Sequence, residues 1–117
     1  MWLVISALNG AAAVVLGAFG AHALRSRLDP TALATWQTAV QYHLVHALGL
    51  LGLALFARAT GRSVALPSSL LLAGILLFSG SLYLVATAGW KWLGPVTPVG
   101  GLCLIAGWLS VLLLARG

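Results

Sequence analysis

His22, His43 and His46 are the side chains best suited to chemistry in this chain. His22 closes the run Gly17-Ala-Phe-Gly-Ala-His22, and the other two end the run Trp36-Gln-Thr-Ala-Val-Gln-Tyr-His-Leu-Val-His46. Imidazole can hold a metal or haem iron, carry a proton or hydrogen-bond a neighbour. On a helix, Ala39, Tyr42, His43 and His46 fall on one side with Trp36 at its edge, while Gln37 and Gln41, four apart, fall on another. His22, Arg25 and Asp29 form a second series at spacings of three and four, which lets Arg25 pair with Asp29.

Several chemistries fit such a set. Groups of this kind in apolar helices bond across to one another or to backbone carbonyls, and this is the favoured reading. Two neutral imidazoles from different helices could instead hold a haem iron axially, with His22 as one ligand and His43 or His46 as the other. The chain has no Cys-x-x-Cys-His, so such a haem would be a non-covalent haem b. A proton path through His, Tyr and Gln lacks an embedded carboxylate to exchange with. Quinone, lipid or a protein partner completes the possibilities. Hydrolytic chemistry is poorly served: Asp29 is the only acid, so no carboxylate pair exists, and a Ser-His-Asp triad would have to take it from its place before a helix. No third ligand accompanies two histidines, so no metal site is expected.

The elements that carry these residues follow from composition. The chain has 117 residues, of which 62% are hydrophobic and 6% charged, with a mean hydropathy of +1.09. A soluble domain puts charge on about a quarter of its residues. The formal charge of +5 reflects missing acids. Arg25, Arg27, Arg58, Arg62, Lys91 and Arg116 are scattered, which excludes a phosphate-following stripe and with it nucleic acid as a partner. Cys103, the single cysteine, is expected to be a small packing residue.

Charges and prolines divide the chain into four apolar stretches, about 2–23, 40–56, 66–88 and 98–115. Each approaches the roughly 20 residues that cross a bilayer, and none alternates as a barrel strand would. Ala21-His22-Ala23 resembles a signal cleavage site, but no Lys or Arg precedes the apolar run and the run outlasts a signal core, so the first stretch is expected to remain a span. The chain thus reads as an all-α membrane protein, a single domain of four transmembrane helices in an up-down bundle joined by short polar turns. Asp29-Pro30 and Thr97-Pro98 each look like a cap followed by a first-turn proline, and Leu66-Pro67 opens the third helix. The polar segment 30–38 is expected to lie along the interface as a short separate helix, with Trp36 at headgroup level, and this puts His22 and His43 at similar depth. Loop cations number three on each side; both termini are read as cytoplasmic.

Lipid provides no hydrophobic drive between helices, so small residues mark close packing. Gly10, Ala13, Gly17 and Ala21 recur at spacings of three and four, as do Gly100, Cys103, Gly107 and Ser110. Their simplest role is contact within one bundle; a homo-oligomer seam is the alternative.

Gly17-Ala-Phe-Gly-Ala-His22, Trp36-x-Thr-x-x-x-Tyr42, His46-Ala, Phe78-Ser-Gly-Ser-Leu-Tyr83, Val96-Thr-Pro-x-Gly-Gly101 and Gly107-Trp108 resemble, over nearly the whole chain, an uncharacterised bacterial inner-membrane family. It is known as domain of unknown function four-two-three and has eukaryotic relatives among small transmembrane proteins. The resemblance implies a bacterial inner-membrane protein of about four helices and carries no activity. His22, Trp36, Tyr42, His46, Tyr83 and Thr97 match its motifs, whereas His43 does not and is read as a bystander. The expected function is that of a non-catalytic assembly or accessory subunit, self-associating or joined to a larger membrane complex. A haem- or quinone-linked redox subunit using His22 and His46, with Tyr42 beside them, is the first alternative, and a small transporter or channel the second.

Overall fold

Asp29 and Pro30 start the longest helix, and glycines stop two of the spans. The computed structural model describes residues 1–116, and every regular element among them is helical. Helix α1 is Trp2–His22. In α2, Pro30–Thr60, the Asp29 carboxylate accepts the Ala32 N–H at 2.7 Å. Pro30 sits where a helix has no use for an N–H. The helix ends at Gly61, whose φ of 72° is open to glycine at little cost. The third span comprises α3, Ala65–Gly74, a π-helical turn at Ile75–Ser79, and α4, Gly80–Ala88. It stops at Gly89, with φ 69°. Helix α5, Val96–Ser110, runs on as a 3-10 turn to Ala115. Four segments have the length and apolarity to cross a membrane: Trp2–His22, Pro30–Thr60, Ala65–Ala88 and Lys91–Ala115.

Two local expectations need correction. Residues 30–38 are not a separate interfacial helix but the opening turns of α2, which is unbroken over 31 residues. No glycine or proline occurs between Thr31 and Leu48, so a break would forfeit backbone hydrogen bonds with no residue to relieve the bend. At 1.5 Å per residue the helix is about 46 Å long, and its first turns extend past a hydrocarbon layer of about 30 Å. Thr97 is also not a cap: α5 begins at Val96, and Thr97 lies inside it.

The four spans run alternately up and down. Helix α2 and the third span form the central pair, with α1 against α2 and α5 against the third span. The Cα extents of 50 × 27 × 17 Å describe a flattened bundle. At one end Leu50, Leu53, Val64, Leu71, Ile75 and Leu104 pack together with Trp2 and Phe56 beside them; at the other, Leu24, Trp36 and Ala86 do so with Leu16 and Tyr83. Helix α5 meets the π turn backbone to backbone. A Cβ added to Gly100 would stand 2.3 Å from the Phe78 nitrogen and 2.8 Å from its Cα, so only glycine permits that approach. Gly17 and Gly107 also face neighbouring helices closely, at 3.2 Å from Val40 and 2.8 Å from Leu71, whereas Gly10 has nothing within 4 Å.

Candidate functional site: two histidines on the inner face of α2

The inner face of α2 carries Trp36, Ala39, His43, His46 and Ala47, all buried. Between the two apolar clusters these residues meet polar groups from every other span. His43, 6% exposed, lies between Asn9 of α1 and Tyr83 of α4, at 3.3 Å from the Asn9 Oδ1 and 3.0 Å from the Tyr83 hydroxyl. The Asn9 amide nitrogen donates to the Ile5 carbonyl at 2.9 Å, which leaves Oδ1 facing His43 as an acceptor. His43 therefore donates from Nε2, and its Nδ1 accepts from the tyrosine O–H.

His46 has the opposite tautomer. Indole is a donor only, and the Trp108 Nε1–H donates to the His46 Nε2 at 3.0 Å. The ring proton is then on Nδ1, which donates to the Tyr42 carbonyl one turn back at 2.6 Å. Tyr42 stacks on the same imidazole with planes 9° apart and centroids 6.0 Å apart, and its other neighbour is Phe78 at 4.5 Å. Tyr42 is itself 43% exposed.

The remaining contacts also run between helices. The Ser79 hydroxyl donates to the Ala39 carbonyl at 2.8 Å. Ser81 donates to the Phe78 carbonyl at 2.9 Å, so the Thr97 hydroxyl donates to Ser81, at 2.6 Å. Trp36 is not at headgroup level: it is 4% exposed and wedged between α1 and α4. Its indole N–H donates to the Leu16 carbonyl at 2.9 Å, its ring lies 4.6 Å from Tyr83, and a Cβ on Gly20 would collide with it at 2.4 Å. Near the opposite end the Arg62 guanidinium donates to the carbonyls of Leu113 and Leu114, covering orphan groups at the end of the last span.

His22 and His46 are not brought together. Asn9 marks the level of His43 on α1, and His22 is 13 residues further along, about 20 Å away. His46 is nearly a turn further in the other direction. Axial ligands of one haem iron must flank a single metal atom, and this spacing forbids it. His22 is exposed in the last turn of α1, Arg25 is exposed in the turn after it, and Asp29 uses its carboxylate on the α2 cap. Gln41 points outward. Cys103 is half-buried and free. Among the described residues no three His, Cys, Asp or Glu side chains gather as a metal site. His43, set aside from the motif pattern, is instead buried and bonded at both ring nitrogens, as His46 is.

Asn9, Ser79 and Trp108 are the partners that the residue types of α2 alone do not reveal. Asn9 had a signal: within the apolar run of α1 it is the one carboxamide, and such a group in hydrocarbon calls for a partner. Beside His43 a cleft of about 280 Å³ opens between α1 and the third span, with Asn9, His43 and Tyr83 as its polar lining and Leu8, Ala12 and Leu76 around them.

Residues 16–101 match the family described as protein of unknown function (DUF423). The chain is similar to the UPF0382 membrane protein YwdK of Bacillus subtilis (strain 168), 42% identical over 98% of this chain and 95% of that protein. It is also similar to the UPF0382 membrane protein SSP2132 of Staphylococcus saprophyticus, 39% identical over 97% of this chain and 94% of that protein. The UPF0382 inner membrane protein YgdD of Escherichia coli (strain K12) is 39% identical over 94% of this chain and 85% of its own length. No solved structure matches the chain. With its four apolar helices and these relatives, the chain belongs to the DUF423 (UPF0382) family of multi-pass bacterial membrane proteins, a family without an assigned activity.

Proposed function

We propose that the protein is a non-catalytic component of the bacterial inner membrane that works by assembling, with itself or within a larger membrane complex. One observation carries the reading: each buried histidine has both ring nitrogens occupied by protein groups. To ligate a metal a ring nitrogen needs a free lone pair, and to do acid–base work it needs a substrate or an exchangeable acid as its partner. Here the partners are a carboxamide, a phenol, a backbone carbonyl and an indole. Three of those nitrogens join α2 to α1, α4 and α5, and the fourth bonds back to α2 itself. The polar residues that looked like a reaction centre hold the bundle together, and the surface left over for function is the one that faces lipid.

Native mass spectrometry in lipid nanodiscs tests the proposal. The expected result is a homo-oligomer or a stoichiometric complex with another membrane protein; a monomer that recruits nothing counts against it. Oxidised and dithionite-reduced absorption spectra after expression with ample haem test the redox alternative, for which a Soret band abolished by His46→Ala would be the positive sign. The reading also places both termini in the cytoplasm, and a terminal fusion to a reporter active only in that compartment should be active.

A further inference from the structure

We infer that the groove between α2 and α5 holds an acyl chain of an anionic phospholipid, whose phosphate sits on Arg62 at the groove's outer end. This goes beyond the assembly reading above and does not depend on it.

Helices α2 and α5 each pack against the third span and not closely against each other. The gap between them has Gly49, Gly52 and Phe56 on one wall and Trp108, Val111 and Leu114 on the other, around a volume of about 500 Å³. It follows each wall for about 10 Å, from Gly49 to Phe56 and from Trp108 to Ala115. At its inner end the walls are joined, because the Trp108 indole on α5 reaches across to His46 of α2. Gly52 widens the gap, with nothing within 4 Å of the place its Cβ would take. Such walls offer a ligand apolar contact and almost no hydrogen bonding, which is what an acyl chain accepts.

Apolar walls alone would select no particular lipid; the arginine at the mouth does. The Arg62 guanidinium donates to the Leu113 and Leu114 carbonyls and lies 5.9 Å over the Phe56 ring. It is therefore fixed between the two walls, at the rim of the spans. Those partners are all neutral. A guanidinium has five N–H groups in a planar fork that matches phosphate oxygens, and the two carbonyls leave most of them free. Arg116, exposed and next to Ala115 of the same groove, adds a second cation. No acidic side chain offsets the pair, since the one acid of the chain, Asp29, caps the opposite end of α2. In a membrane that counter-charge is carried by anionic headgroups, which basic sites between spans recognise.

The groove and a phospholipid share the same polarity. A phospholipid carries its phosphate at the interface and its chains toward the midplane; the groove has its cation at the rim and its closed, apolar end deeper in. A free phosphate would use the mouth alone. A zwitterionic headgroup brings a cation of its own to face Arg62 and Arg116, so it gains less from the site than an anionic one.

The test is lipid retention, read by native mass spectrometry of protein released from nanodiscs of equal dioleoyl phosphatidylglycerol and dioleoyl phosphatidylcholine. Phosphatidylglycerol should be retained on each chain with a preference of about tenfold or more over phosphatidylcholine. Arg62→Gln should abolish that preference, and Arg62→Lys, which keeps the charge, should keep most of it. Gly52→Leu should weaken phosphatidylglycerol retention by about tenfold. It fills the groove and no space that the protein itself uses, so the thermal midpoint should be kept. Arg58→Gln, about half a turn round α2 from Gly49, is the control and should change nothing. Equal retention of the two lipids overturns the inference, as does a preference that survives Arg62→Gln or a retention that survives Gly52→Leu. Displacement of the lipid by inorganic phosphate, or a protein found in the groove, overturns the lipid as occupant. The same spectra count the chains in each particle, so failure of the assembly reading is seen separately.

Discussion

The two faces of α2 carry similar polar side chains and treat them in opposite ways. Inward, His43 and His46 have every ring nitrogen bonded, to Asn9, Tyr83, the Tyr42 carbonyl and Trp108. Outward, two residues before His43, Gln41 faces away from the protein. The difference shows which polar groups the bundle uses to hold itself together. A membrane protein gains little from apolar contact, because lipid is as apolar as leucine, so polar ties and close packing define the bundle. On the inner face those ties close within one chain; the outer face has none among the described residues.

Breaking the inner face should have the largest effects. Trp36→Ala removes a buried indole together with its bond to the Leu16 carbonyl, and should lower stability by about 3–5 kcal/mol, measured by reversible unfolding in bicelles. His46→Leu keeps the volume but strips the Trp108 indole of its acceptor, at a cost of about 1–2 kcal/mol by the same measurement. Asp29→Ala removes the α2 cap and should cost about 1 kcal/mol, with fraying of the first turn visible in hydrogen exchange. Tyr83→Phe leaves the ring packed on Trp36 and deletes only the hydroxyl, for about 0.6 kcal/mol. On the outer face, Gln41→Leu should change stability by less than about 0.5 kcal/mol. That contrast between His46→Leu and Gln41→Leu is the comparison in its sharpest form. Equal losses of monomer stability in the two variants would erase it.

The spans were legible because charge bounds each apolar run: Arg25 and Arg27 follow the first, Arg58 and Arg62 the second, Lys91 the third. The Asp29-Pro30 helix start was legible for a similar reason, since a cap is local chemistry. Residues 30–38 misled because their polarity matches both an interfacial helix and the protruding start of a long one. Thr97 misled because its proline neighbour imitates a cap, while its hydroxyl bonds to Ser81 on another helix. The histidines show the same division. Their shared side on α2 follows from spacing alone. What each ring touches depends on the register between helices, which sets Asn9 34 positions and Tyr83 40 positions from His43. The π turn at Ile75–Ser79 was invisible as well, since its fit to Gly100 needs both helices in place.

The protein ties off its buried histidines, and nitrogen NMR of histidine-labelled protein in lipid bilayers tests this most directly. Two distinct neutral tautomers are expected: His43 carrying its proton on Nε2 and His46 on Nδ1, with through-space contacts to Tyr83 and Trp108 respectively. Identical tautomers, missing contacts, or ring signals displaced by a bound metal would contradict it.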